Sequence, residues 1–314
     1  MRTLSRRLFL AMGSVGTAGM LAAGTTSGRN RNAQPAAGAP NTAYIDRPIC
    51  FQSYGMRHQI EEDFSGTLNL VKELGFDGME MCSPKGNYYR TAGYGNLTDL
   101  PPAEVKQQIE DAGLFCRSSH FEAHEVLEDD VSRTADYAAA LGLQDIIMSG
   151  STFGEDGTVD EIMRWGERCN DAAEVVQAAG LRLGYHNHLV GPMVDGKPQF
   201  EHIMDALDPD LVTMQFQVAS ISGGYDPVFY LDKYAGRYSS LHIADYDPAA
   251  KSSRRPGRLG AVVAVGDGMV DWAELLRVSL KSDMADHGFI IEMETSEPLE
   301  DLRKSIAHLK SVSV

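Results

Sequence analysis

The sequence predicts a single closed barrel of eight parallel strands wrapped by helices, and three observations predict it. Short apolar runs of strand length alternate with longer stretches of helical periodicity from about residue 48 onward. Six sites, Leu74-Gly75, Ala112-Gly113, Leu141-Gly142, Ala179-Gly180, Ala235-Gly236 and His287-Gly288, each close a helix-like stretch and precede an apolar run. Glycine tolerates the left-handed geometry that ends a helix, so these read as helix-to-strand joints. Roughly 270 residues with no long linker and no low-complexity segment are the usual size of one such barrel.

The chain opens on a segment that does not belong to the barrel. Ser5-Arg6-Arg7-Leu8-Phe9-Leu10 is a twin-arginine pattern, followed by a glycine-diluted apolar stretch from Leu8 to Ala23 and a polar Ala/Pro/Gly-rich tail to Pro40. The stretch is too short and too rich in glycine to anchor comfortably in a bilayer, and no cysteine follows it as a lipoprotein would need. Residues 1–40 are therefore expected to be an export signal and linker, and 41–314 the barrel. The implied partner is the twin-arginine translocase, and the implied location is periplasmic or secreted.

Eight strand candidates follow, at about 48–52, 77–82, 115–119, 145–149, 181–186, 211–217, 238–242 and 288–292. Between them the helix at 158–179 is clearest. Thr158 can cap it, Asp160 and Glu161 suit its positive end, and Ile162, Trp165, Cys169, Val176 and Ala179 fall at helical spacing. No Gly-x-Gly-x-x-Gly follows the first strand, so a dinucleotide-binding sheet is excluded.

Charge narrows the partners. The chain carries −16, and setting aside the five arginines of residues 1–40, a stretch without acids, leaves −21. Such a surface repels phosphate backbones and anionic lipid, which speaks against nucleic acid and against stable membrane insertion. Cys50, Cys82, Cys116 and Cys169 each lie within an apolar strand or helix pattern. Disulfides are possible in an exported chain, but free core thiols are expected, because a folded export substrate buries its cysteines before oxidation.

Three strand candidates end in chemistry. Gly184-Tyr185-His186-Asn187-His188, Leu241-His242-Ile243-Ala244-Asp245 and Ile290-Ile291-Glu292-Met293-Glu294 are apolar runs that finish on imidazoles or carboxylates. A lone buried histidine is more often a hydrogen-bonded core residue. Three strands ending alike, gathered at one barrel mouth, point to a metal or polar centre. The loop Ser83–Arg90, with Tyr88 and Tyr89, suits the wall of a sugar site or an ordinary solvated loop. The basic cluster 251–258, ending in Arg258, is either a surface loop or a grip for an anionic group.

These motifs, with Val265-Gly266-Asp267-Gly268-Met269-Val270-Asp271-Trp272, Leu74–Glu80 and the closing Ser305–Lys310, resemble the xylose-isomerase-like barrels. That superfamily includes sugar and sugar-phosphate isomerases and epimerases, inosose dehydratase and endonuclease IV. The resemblance runs from about 47 to 312. It implies one divalent ion, such as Mn²⁺ or Zn²⁺, held by His186, Gln217, His242 and Glu292. Two departures stand out: Gln217 replaces the usual aspartate, and Ala244 replaces the usual lysine of the seventh-strand motif. Two imidazoles, an amide and one carboxylate leave such a site at net +1, which favours borderline metals over Mg²⁺. Glu294 or water could stand in for Gln217.

The implied reaction is proton abstraction beside the carbonyl of an unphosphorylated sugar or keto-sugar, giving an isomer or epimer. The alternatives are a lyase or hydratase acting on 3-keto-glycosides by elimination, and an exported sugar-binding barrel that has lost catalysis. Nuclease chemistry would need more metal ligands and a basic face. Glu292 is the first acid/base candidate, with His188 and His120 next. Glu80, Tyr88 and Arg258 are candidates for binding substrate; His120 and Glu80 could equally be structural.

Overall fold

The computed structural model describes residues 47–128, 130–154, 156–251, 259–282 and 284–313. The export segment expected at 1–40, and Arg258, lie outside these described residues. Eight parallel strands close into a barrel: β1 (Ile49–Gln52), β2 (Gly78–Cys82), β3 (Phe115–Phe121), β4 (Asp145–Met148), β5 (Arg182–His186), β6 (Val212–Gln217), β7 (Tyr238–Ile243) and β8 (Phe289–Ile291). Each pairs with its sequence neighbours, and β1 pairs with β8 to close the ring.

Side chains alternate across the strands, and the two faces carry different chemistry. Ile49, Phe51, Met79, Met81, Ile146, Leu183, Phe216, Leu241, Ile243, Phe289 and Ile291 belong to the apolar core between barrel and helices. Burying each contributes on the order of 1.5–3 kcal/mol. The alternate positions include Glu80, His120, His186, Gln215, Gln217 and His242, and these polar residues are buried as well. A Cβ at Gly184 would lie 2.6 Å from Ile147 Cδ1, so the two strands pack closely there.

The helix expected at 158–179 spans Val159–Ala178, and Thr158 and Glu161 cap it reciprocally. Ile162, Trp165, Cys169 and Val176 are buried, whereas Ala179 is exposed just beyond its end. Gly75, Gly113, Gly142, Gly180 and Gly236 have the left-handed backbone expected of helix ends. Gly288 does not; a Cβ there would sit 2.6 Å from the Ser239 carbonyl oxygen, so close packing requires it. The four cysteines are free, three buried and Cys116 partly so.

Two short antiparallel hairpins decorate the rim, Met193–Val194 with Lys197–Pro198, and Asp245–Lys251 with Leu259–Val263. The second is fixed at its root by Asp245, which is fully buried. Its carboxylate accepts from Tyr246 N at 2.8 Å, Gly266 N at 3.1 Å, Val270 N at 3.1 Å and Trp272 Nε1 at 2.8 Å. No helix among the described residues is long and apolar enough to cross a membrane.

Candidate active site

The polar residues meet at the carboxyl ends of the strands. His120, His186 and His242 are all buried, and their donor nitrogens lie within 4.8 Å of one another. Beneath them sits Glu80, fully buried, the inward residue of β2. Glu80 Oε1 lies 2.6 Å from His242 Nε2 and 3.2 Å from His120 Nε2. Its other oxygen accepts from Gln215 Nε2 at 2.8 Å, and the same amide nitrogen reaches Ser240 Oγ at 3.0 Å.

These contacts fix the histidines. A carboxylate only accepts, so the Gln215 amide must turn its nitrogen toward Glu80 and its oxygen toward His120 Nε2, 2.7 Å away. His120 and His242 therefore both carry a proton on Nε2, and Nδ1 is the atom each offers elsewhere. This is how an outer carboxylate orients ligating imidazoles. Glu80, a candidate for a substrate hydroxyl, has both oxygens engaged below the histidines.

His186 has no hydrogen-bond partner at either ring nitrogen, although the residue is fully buried. Burial, with the neighbouring His242, His188 and His120, holds its pKa well below the ordinary 6.5, so the ring is a neutral donor. Burial alone would also lower His242, but the Glu292 and Glu80 carboxylates outweigh it and push the imidazole up to about 10. Burial disfavours the ionised Glu80, yet His120 and His242 hold it well below the usual carboxylate range. The same contest leaves Glu292 at about 2, with His242 and the Gln217 amide overcoming burial.

Glu292 follows β8, and its side chain is 14% exposed. Its Oε2 stands 3.4 Å from His242 Nδ1, close enough for an ion pair but not aligned as a hydrogen bond. Gln217 is placed differently from the expected ligand. Its Nε2 donates to Glu292 Oε2 at 2.7 Å and its Oε1 accepts from Ala219 N at 3.2 Å. In this arrangement the carbonyl caps the following turn and the amide nitrogen meets Glu292. His188 is exposed on the rim, its ring centroid 4.8 Å from that of His186. Tyr88 is 54% exposed on the loop after β2.

The residue that sequence reading passed over is Gln215. Met214-Gln215-Phe216-Gln217 alternates apolar and polar, which puts both glutamines on one face of β6. That alternation was the available signal.

A divalent ion fits this donor set. The ionised Glu80 and Glu292 share one raised imidazole, His242, between them. A divalent ion with neutral histidines would bring the set to zero, once Glu80 is counted with Glu292. His186 with His242 and flanking donors from His120 and Glu292 would hold it.

The chain matches the Xylose isomerase-like TIM barrel family over residues 68–312. It is 23% identical over 267 residues to an inosose dehydratase 2 of Bacillus cereus, an alignment covering 76% of this chain and 85% of that one. The structure of a sugar phosphate isomerase/epimerase from Parabacteroides distasonis superposes with TM-score 0.67 at 23% identity, covering 89% of this chain and 99% of that one. A xylose isomerase-like barrel from Mycobacterium smegmatis in complex with magnesium superposes at 0.61 with 15% identity, covering 85% and 97%. With its barrel closed and its polar strand ends gathered at one mouth, this chain belongs to the xylose isomerase-like TIM barrel family.

Proposed function

We infer that the protein removes a proton from the carbon beside a carbonyl, acting on an unphosphorylated keto-sugar or keto-polyol with the help of one divalent ion. The observation that carries this reading is His186, a fully buried imidazole with both nitrogens unpartnered. Such a group is costly unless a ligand completes it, and it stands among the other donors at the mouth.

A bound ion would polarise the substrate carbonyl. The remaining roles belong to the chain. Glu80 and Gln215 orient His120 and His242. Glu292, held at about 2 by its neighbours, is a weak base and serves as a fixed negative charge. His188, exposed beside the His186 ring, is the better proton acceptor. His120 is a poor proton shuttle, since its Nε2 is committed to Gln215 and Glu80.

Removal of that proton leads to an epimer on reprotonation or to elimination if a β-hydroxyl leaves. The dehydratase relatives favour elimination, while the isomerase/epimerase neighbour supports the first outcome. The acidic chain, the twin-arginine pattern and the absence of acids before residue 41 support export of the folded enzyme to the periplasm or beyond. Replacing Arg6 and Arg7 together by lysine should strand the protein in the cytoplasm.

The test is turnover in D₂O of an inosose and a panel of unphosphorylated ketoses, with and without chelator. Deuterium should enter the carbon beside the carbonyl, or an unsaturated ketone should appear, only when metal is present. Metal-free protein with full activity, or no exchange on any substrate by metal-loaded protein, overturns the reading.

A further inference from the structure

The loop walls carry an aromatic feature that deprotonation at the centre does not use. Tyr94, Tyr89 and Tyr88 climb from interior to rim, with relative exposures of 0%, 7% and 54%. Their ring centroids are 6.2 Å apart for Tyr94 and Tyr89 and 5.5 Å for Tyr89 and Tyr88. Tyr54, from the turn after β1, lies near-parallel to Tyr88 at 6.2 Å and 26°, and their hydroxyls are hydrogen-bonded. The Arg57 guanidinium sits over the Tyr54 ring at 4.3 Å, and its Nη1 donates to Tyr54 O at 2.9 Å.

The outermost ring is held in place. Tyr88 N donates to Glu122 Oε1 at 2.6 Å, Arg90 N to Gly86 O at 3.0 Å and Thr91 Oγ1 to Tyr88 O at 2.9 Å. Gly86 passes so close to the carboxylates that a Cβ would meet Glu122 Oε1 at 2.5 Å. Below it, Tyr89 Oη is hydrogen-bonded to Ser149 Oγ, just past β4, and Tyr94 Oη to Ser53 Oγ at 2.8 Å. With its backbone tied down and its ring held by the Tyr54 hydroxyl and the Tyr89 edge, Tyr88 is a preformed stacking surface rather than a mobile side chain.

Its position says which part of a ligand it meets. Gln52, two residues before Tyr54, lies opposite Glu80 in the strand register, at the level of the reacting centre. Tyr54 and Tyr88 come from the loops beyond that level, with the buried Tyr89 between Tyr88 and the interior. His188 follows β5, whereas Tyr54 and Tyr88 stand on the loops after β1 and β2, apart from the groups assigned to the reaction. We propose that the Tyr54–Tyr88 shelf binds a second ring joined to the reacting sugar, so that the substrate is a glycoside with a ring aglycone. The ring would present a C–H or aromatic face to Tyr88, and either a sugar or an aryl group supplies one. This rests on the reading of the reacting centre given above.

Binding to the full chain separates the ideas without requiring turnover. Calorimetric titration would use methyl β-glucoside, methyl β-cellobioside and phenyl β-glucoside as one-ring, two-sugar and sugar-plus-aryl probes. The two-ring probes should bind about fivefold to tenfold more tightly than the one-ring probe. Tyr88→Ala should erase that advantage and Tyr88→Phe should keep most of it, with thermal unfolding confirming that both variants fold. A preference for only one two-ring probe identifies the aglycone as sugar or aryl. Equal binding of all three probes, no binding of any, or a two-ring preference that survives Tyr88→Ala overturns the shelf. If the preference is present but no ketose exchanges deuterium, the reaction assigned to the centre fails and the shelf stands. Exchange with Tyr88→Ala weakening one-ring and two-ring substrates equally has the opposite meaning.

Discussion

The barrel buries a carboxylate at each end, and the two are treated differently. At the floor, Asp145 opens β4 and accepts from Arg182 Nε at 2.6 Å and Nη2 at 2.9 Å, with His287 Nε2 at 2.8 Å completing its shell. That charge is matched by a permanent cation in a bidentate geometry. At the mouth, Glu80 has only imidazoles and an amide, and the adjacent His186 packs against imidazoles with no hydrogen bond that meets ordinary geometry at either nitrogen. At the floor only His287 Nδ1 is left without a partner, while at the mouth both nitrogens of His186 are. In this kind of barrel the first condition belongs to stability and the second to chemistry.

Removing each carboxylate gives the sharpest contrast. Asp145→Ala leaves Arg182 and His287 facing a void and should cost about 3 kcal/mol of stability, at the low end for a buried pair because Arg182 is 47% exposed. Metal uptake per folded molecule should be kept. Glu80→Ala should instead weaken metal binding by about 10- to 100-fold, through disoriented His120 and His242. Denaturant unfolding and metal titration of both variants decide it, and equal loss of metal uptake would erase the distinction between the ends. Next, a divalent metal at about a hundred times its dissociation constant should stabilise the wild type by roughly 2.7 kcal/mol. His186→Ala should abolish that increment while costing the metal-free protein only the ring's packing, since no hydrogen bond is lost.

The same contrast has a pH form. In the metal-free protein His242 is raised from 6.5 to about 10, so its contribution is full below pH 6.5 and is lost as pH rises toward 10. Glu292 is lowered from 4.5 to about 2, so its share is present above pH 4.5 and is lost as pH falls toward 2. The two describe largely one ion pair and are counted once. Thermal unfolding should therefore be highest near pH 4.5–6.5 and decline above it, by at most about 1.4 kcal/mol per pH unit. A divalent ion, which displaces the His242 proton, should flatten the alkaline limb; an unchanged slope would mean that the ion binds elsewhere. The smallest effect is expected at Gln217. Gln217→Asp sets a carboxylate against Glu292, which should tighten metal binding but lower the ion's effective charge and reduce turnover about tenfold. Higher turnover in that variant would mark the present site as weakened rather than tuned.

Much of this was legible because strands buried on both faces must read as short apolar runs, and the eight candidates match the eight strands to within two residues at either end. His186, His242 and Glu292 were visible as polar ends to those runs. What escaped was lateral pairing. The register shifts between Met79 and Glu80 on β2, and between Met214 and Gln215 on β6, next to the two residues that organise the histidines. Such irregularities decide which inward side chains touch, and no periodicity announces them. At Gln217 the amide turns its nitrogen to Glu292, which can only accept, and its oxygen to Ala219 N, a pairing no periodicity announces. The two rim hairpins went unseen for a simpler reason: their strands are short or polar.

Asp245 ties both ends of the longer rim hairpin and the following loop to the end of β7, three residues from His242. The described hairpin strands also pack against the turn Val218–Gly223 that follows Gln217, so a change in the arm is felt at the mouth through that turn as well as through the knot.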